Sequence, residues 1–223
     1  MGKLIAIEAI DGAGKELQSN LLENYLKNNN KKVKKISFPN YTSKSSELVK
    51  MYLNGDFGKN SQDISPYIAS VFFACDRYAS YMTEWKNFYM DNDTIIICDR
   101  YVSSNIIHQS QKYDDLNERE DYINWLYNFE YNIMNLPKPD ITIYLDIEFE
   151  ISLNSIKNRK SNNKNIDIHE NDILHLKKSY DICQFLKKSE NWVSIKSSEN
   201  KEFLDKNIIH NNVIKKLKEF NII

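Results

Sequence analysis

An α/β fold, with a parallel sheet covered on both faces by helices, follows from three features of the sequence. Short apolar runs rich in β-branched residues recur along the chain, and each is followed by a stretch of helical periodicity. One of them, Thr94–Cys98, carries β-branched side chains from Thr94 to Ile97, the mark of a strand buried on both faces. Neither an internal repeat nor a linker-like stretch divides the 223 residues, so the chain reads as a single domain.

The elements follow in order. Leu4–Glu8 is a short buried-strand pattern that runs into a glycine turn at Asp11–Gly14. Leu17, Leu21, Leu22, Tyr25 and Leu26 then fall on one helical face, and Asn28–Asn30 stops that helix. Val33–Ser37 is the next strand, ended at Phe38-Pro39 because proline cannot continue a ladder. Ser46–Leu53 predicts a helix and Gly55–Gly58 a turn. Ser65-Pro66 opens a long helix to about Tyr89, with proline in the first turn. After the strand Thr94–Cys98, helices are predicted over Ser104–Gln111 and Glu118–Asn135. Pro137–Pro139 breaks the chain before the strand Ile141–Asp146. Phe149–Asn158 is helical, the polar stretch Ser161–Asn165 reads as a mobile lid, and Asn171–Lys188 is a helix. Trp192–Ile195 is a last strand and Lys201–Phe220 a final amphipathic helix.

Composition narrows the function. Lys and Arg total 30 against 31 Asp and Glu, a net charge of −1, which argues against a general nucleic-acid binder. A hydrophobic content of 41% supports a packed core. No apolar run approaches the ~18 residues of a membrane span, and Lys3 leads straight into a strand without a signal-peptide pattern. Cys75, Cys98 and Cys183 form no CxxC pair, which suits a reduced, cytoplasmic protein. His169 and His175 lack metal-ligand partners at useful spacing, so no zinc site is expected. Arginine is scarce in this lysine-rich chain, occurring only at Arg77, Arg100, Arg119 and Arg159. A planar fork that grips carboxylate or phosphate with two bonds is something lysine cannot supply, so these positions are candidates for chemistry.

Glu8–Lys15, EAIDGAGK, follows a predicted strand and opens a predicted helix. Backbone N–H groups in such a loop point at phosphate, aided by the positive end of the helix dipole. Gly12 and Gly14 permit the turn and close approach, and Lys15 reaches the terminal phosphates. The other reading is an ordinary strand–turn–helix corner. Two letters depart from the full phosphate-loop pattern: Ala9 replaces its first glycine, and Glu16 stands where a Ser/Thr normally holds Mg²⁺. Either Glu16 helps hold the metal shell, directly or through water, or it points outward and other groups hold the ion.

Beyond the loop, several pieces fall into one order: Asp11–Lys15 with Gln18, Phe38–Tyr41, Phe73–Arg77, Asp99–Tyr101 with Ser104 and Asn105, Pro137–Asp140, and Asp167–Glu170. Together they resemble the thymidylate kinase family, phosphate-loop nucleoside-monophosphate kinases, over nearly the whole chain. The wording looks nearest a low-GC Gram-positive, clostridial branch, and the Asn, Lys and Ile excess fits an AT-rich genome. The resemblance implies a three-layer P-loop NTPase fold with a five-stranded parallel sheet and a lid at about 158–170. It also implies transfer of the ATP γ-phosphoryl group to dTMP, Mg²⁺ as cofactor, and a homodimer.

Site roles are implied position by position. Asp11, Gly12, Ala13, Gly14, Lys15, Glu16 and Leu17 take ATP. Arg100 holds the acceptor phosphate and Asp99 lies near Mg²⁺, with Glu16 as the second metal candidate; alternatively Asp99 and Arg100 merely cap a strand end. Phe73 stacks on thymine and Arg77 reaches its O4, although periodicity alone would put Phe73 in the core. Phe38 and Tyr41 line the acceptor loop, where Tyr41 donates to phosphate or simply packs. Ser104 and Asn105 face the base and sugar. His108 stands where the family crowds the sugar 2′ position, or else is a partly exposed helix residue. Asp11 acts near the sugar 3′-OH or the metal's water. Gly12 follows Asp11, so the loop supplies no arginine to the transferring group. Arg159 is then the lid cation, assisted by Lys160 or Lys164, although the residues by themselves favour a solvated basic loop over any named lid residue. The catalytic set is Lys15, Asp11, Arg100 and Arg159, and Arg119 is left as surface. The competing readings are a kinase for another deoxynucleotide on the same fold and a nucleotide-binding protein with little catalysis.

Overall fold

The computed structural model describes residues 1–161, 168–189 and 192–223, without the side chains of 159–161 and 189. The elements are β1 Lys3–Glu8, α1 Lys15–Asn28, β2 Lys32–Ser37, α2 Glu47–Leu53, α3 Pro66–Ser80, α4 Lys86–Tyr89, β3 Thr94–Asp99, α5 Val102–Gln109 and α6 Leu116–Tyr127. They continue with β4 Ile141–Asp146, α7 Phe149–Ser161, α8 Ile168–Asn171, α9 Ile173–Ser189, β5 Trp192–Lys196, β6 Ser198–Glu199, β7 Glu202–Phe203 and α10 Lys206–Glu219. The five predicted strands form one parallel sheet in the order β2-β3-β1-β4-β5.

Burial explains the order. β3 is buried at every position and β1 at all but Lys3, so both take inner places. β2, with Lys32, Lys34 and Lys35, takes an edge, where charged side chains discourage pairing with another chain. Leu4, Ile5, Ile7, Ile96, Ile97, Ile143 and Leu145 form the centre of the core, and helices close over both faces. A smaller cluster of Val49, Tyr52, Leu53 and Ala69, with Phe72 and Phe73 packed on it, sits between α2 and α3.

Two departures from the α-helical pattern matter. The long helix predicted to Tyr89 passes through a π-helical segment at Tyr81–Trp85, and α6 continues as another at Asn128–Ile133, which carries Glu130 into the interior. A further difference lies near the C-terminus. The final helix begins at Lys206, because Glu202–Phe203, in the stretch predicted to start the helix, pairs with Ser198–Glu199 as a hairpin. Asp205 caps the helix by accepting from the Asn207 N–H. Arg119, left as surface by the sequence, lies in α6 and donates to the Tyr113 carbonyl at 2.6 Å.

β1 and β3 pair so that Ile7 stands beside Asp99, and the Arg100 N–H donates to the Ile7 carbonyl at 3.1 Å. The loops after these two strands therefore emerge side by side at the carboxyl end of the sheet, where parallel α/β folds bind ligands.

Candidate active site

The loop after β1 owes its shape to two glycines. Gly12 and Gly14 have φ of +76° and +80°, and a Cβ on Gly12 would lie 2.7 Å from the Ser152 carbonyl oxygen. The Ser152 hydroxyl in turn donates to the Asp11 carbonyl at 2.6 Å, which pins the loop to α7. α1 begins at Lys15, so its N-terminal N–H groups open onto the loop. Lys15 folds back, donating to the carbonyls of Ala9 at 3.0 Å and Ile10 at 2.8 Å. Burial, with repulsion from Arg100, pushes its ammonium down to about 8, against the pull of Asp11, Asp99 and Glu8.

Arg100 is the hub of the site. It adopts a left-handed backbone, φ 67°, just past β3, and its Nη2 pairs with the Asp11 carboxylate. Its Nη1 lies 3.2 Å from His108 Nε2 and 3.5 Å from the Ser104 hydroxyl. Burial alone would raise the pKa of Asp11, but the charge of Arg100 above all, with Lys15, holds it well below the usual carboxylate range.

Glu8, which ends the apolar strand β1, is fully buried and organises the Arg100 turn. Its carboxylate accepts from the Tyr101 N–H at 2.8 Å, the Ser103 hydroxyl at 3.0 Å and the Ser104 hydroxyl at 2.7 Å. It thereby satisfies the start of α5, whose dipole favours a negative charge there. Burial raises its pKa and these donors oppose the rise. The signal for this role was a charge at the end of an otherwise apolar run.

Two cavities meet here. A cleft of about 1090 Å³ runs along Asp11–Gln18 and includes Asp99, Arg100, Tyr41, Glu170 and Lys206. A narrow recess of about 80 Å³ is lined by Phe38, Tyr41, Phe73, Arg77, Ser104, Asn105, His108 and His169, together with Asp11 and Arg100. All the residues expected around the phosphate loop line the cleft, and all those expected around the acceptor line the recess. Phe73 is half-buried and meets Tyr52 edge-on at 6.1 Å, so it is both wall and partial core. Tyr41 is exposed. Phe38 is buried against Tyr101, 6.1 Å between ring centres. The loop holding both is fixed by Asp76, which accepts from the Asn40 N–H at 2.8 Å and the Ser45 hydroxyl at 2.6 Å.

Arg77 carries a partner that the sequence reading missed. Its Nε and Nη2 donate to the two carboxylate oxygens of Glu130 at 2.6 and 2.5 Å. Glu130 keeps the buried guanidinium charged. Asn105 donates to the Ser70 carbonyl at 3.3 Å, and Ser104 is turned toward Glu8.

His108 is buried, which removes the reading of a partly exposed helix residue. The expectation that His169 and His175 have no ligand partners also fails, because the fold brings His108 to them from far away in sequence. Burial holds all three imidazoles neutral, His175 down to about 4. Asp99 accepts from the Ser19 hydroxyl at 3.4 Å, and Glu16 is exposed on the first turn of α1. Of the lid cations, Lys164 lies outside the described residues, as does Asp167. Arg159 and Lys160 sit at the end of α7 with side chains outside the description.

A model of the family described as thymidylate kinase matches residues 7–208. The chain belongs to the thymidylate kinase family. Its relatives include a thymidylate kinase of Plasmodium falciparum, 27% identical over 99% of this chain and 92% of that protein. A probable thymidylate kinase of Methanococcus aeolicus is 30% identical across 100% of both chains. The solved thymidylate kinase of Candida albicans shares the fold at a TM-score of 0.69 and 21% identity, covering 99% of this chain and 93% of that one. As a thymidylate kinase the protein catalyses ATP-dependent phosphorylation of dTMP. Among the described residues no helix is long and apolar enough to cross a membrane.

Proposed function

We propose that the cleft takes ATP and the recess takes dTMP, with Arg100 and Asp11 at the seam between them. The observation that carries this reading is that these two residues line both cavities. A phosphate arriving from either side meets the same guanidinium, as transfer between two bound nucleotides requires.

In this reading, the N–H groups of Gly12–Leu17 and the Lys15 ammonium cradle the donor phosphates, and Arg100 exchanges Asp11 for the acceptor phosphate. Phe73 stacks on thymine, Arg77 and Asn105 address its edge, and Tyr41 donates to the acceptor phosphate. Phe38, Ser104 and His108 shape the sugar side. Arg159, from the lid at about 158–170, covers the transferring group; this part rests on the sequence alone.

Magnesium fits the oxygen donors at hand. Asp99 lies beside the phosphate loop with only the long Ser19 contact on its carboxylate among the described residues, and Glu16 offers a second oxygen at the same cleft. When bound, the ion neutralises charge on the β and γ phosphates.

The homodimer is supported by an exposed stripe of Ile68, Cys75, Tyr78 and Met82 along α3 and the π-helical segment after it. A single domain, a cytoplasmic location and a low-GC Gram-positive origin rest on the sequence reading given first.

A coupled assay of ADP release over a panel of monophosphates tests the arrangement. dTMP should be turned over faster than dUMP, dGMP or the ribose form of TMP. Preference for another monophosphate would move the chain to a different acceptor on the same fold. No ADP release with any of them, alongside normal stabilisation by ATP, would leave a nucleotide-binding protein.

A further inference from the structure

Three histidines from separate elements share one buried corner: His108 on α5, His169 on α8 and His175 on α9, with exposures of 9%, 5% and 1%. One nitrogen of each lies within 4.8 Å of the other two. His108 Nδ1 and His175 Nε2 are 3.4 Å apart. Two nitrogens bonded to one tetrahedral zinc ion at about 2.0–2.1 Å stand about that far from each other, whereas His169 stacks on His175 with ring centres 4.2 Å apart and turns to bring its lone pair to the same point.

Two of the three rings have a nitrogen held by a hydrogen bond that fixes ring orientation and tautomer, while His108 turns its Nε2 to the Arg100 guanidinium. His169 Nε2 is 2.9 Å from the Tyr52 hydroxyl, and His175 Nδ1 is 2.9 Å from the Gln111 amide. Gln111 turns its Nε2 toward His175 and leaves its Oε1 buried without a partner. The two ends of an amide are assigned from their surroundings. Turning this one over lets Oε1 accept from His175 Nδ1–H. That partners the orphaned oxygen and aims the lone pair of His175 Nε2 at His108, in exchange for the 3.4 Å bond that Gln111 Nε2 gives the His108 carbonyl.

We propose that His108, His169 and His175 bind a borderline divalent transition-metal ion of the zinc class. The three ligands leave one position open for water. An all-imidazole set selects against Mg²⁺, which prefers oxygen, so this site is separate from the magnesium at the phosphates. Because His108 and His169 also line the recess, the ion would fasten α8 and α9, which follow the lid stretch, to the wall beside the acceptor. It also bears on Arg100. Binding at His108 Nδ1 places the ring proton on Nε2, which then no longer accepts from Arg100 Nη1 and releases that N–H toward an incoming phosphate.

The test uses the full chain, stripped of metal with a chelator and titrated with Co²⁺ while the visible spectrum is followed. The expected result is the intense absorption of a tetrahedral Co²⁺ site, saturating at one equivalent. Zn²⁺ should displace it, excess Mg²⁺ should not, and Zn²⁺ should raise Tm. His175→Phe and, as a milder change, His108→Gln should each abolish the band. Absence of a one-equivalent band in the folded native protein overturns the site. So does a band that persists in folded forms of both variants. Neither readout depends on turnover, so the result stands apart from the phosphotransfer assay.

Discussion

Arg77 and Glu130 grip each other through two parallel hydrogen bonds in the interior, with side chains 1% and 0% exposed. Arg77 also lines the acceptor recess. The pair therefore sets the direction of the guanidinium before any nucleotide arrives. Its remaining nitrogen, Nη1, takes no part in the Glu130 contact.

Glu130→Gln leaves the Arg77 charge buried without its counter-ion. Loss of one partner of a buried pair costs about 3–5 kcal/mol. Urea unfolding should show that loss, and the KM for dTMP should rise. The double variant Arg77→Met, Glu130→Leu should recover most of the stability while KM stays high. Equal instability in the single and double variants would show that packing, not charge, dominates the site.

Arg100→Lys keeps a charge but removes the fork. A charge-assisted hydrogen bond is worth about 1.5–3 kcal/mol, so kcat/KM for dTMP should fall roughly 10- to 100-fold. Arg119→Lys, remote from both cavities, should change it far less. Comparable losses in the two variants would remove Arg100 from the acceptor phosphate.

Gly12 and Gly14 separate space from strain. Both have positive φ, but only Gly12 has backbone within clash distance of an added Cβ; Gly14 has nothing within 4 Å. Gly14→Ala should lose about 1–2 kcal/mol, the usual left-handed cost. Gly12→Ala should lose more and also weaken ATP binding. Equal midpoints in chemical denaturation would contradict the close approach to Ser152.

Glu16→Ser tests the metal shell. The Mg²⁺ concentration giving half-maximal rate should shift, because an oxygen facing the cleft changes charge. An unmoved titration would place Glu16 outside the shell.

The sheet was legible because β1, β3 and β4 are apolar runs with β-branched residues while β2 and β5 mix such residues with polar ones, and burial turned that contrast directly into position. The phosphate loop was legible because Gly12, Gly14 and Lys15 stand between a strand and a helix. The hairpin of Ser198–Glu199 with Glu202–Phe203 was not, since two-residue strands carry no periodicity. Glu130 was one acidic residue on an amphipathic helix, and its partner lies 53 residues away. The same distance problem hid the histidine cluster: His169 and His175 are near neighbours in sequence, but His108 reaches them only through the packing of α5 against α9. Glu8 was visible as a charge at a strand end, yet nothing local named its three donors.

The left-handed turn at Arg100 bears on how this enzyme can change over generations. That backbone shape favours glycine or asparagine over arginine. In the proposed arrangement, substitution by glycine would relax the main chain at the very point where the acceptor phosphate loses its guanidinium. Drift unopposed by demand for the product would therefore erode turnover before it eroded the fold, leaving a well-folded protein that has stopped working.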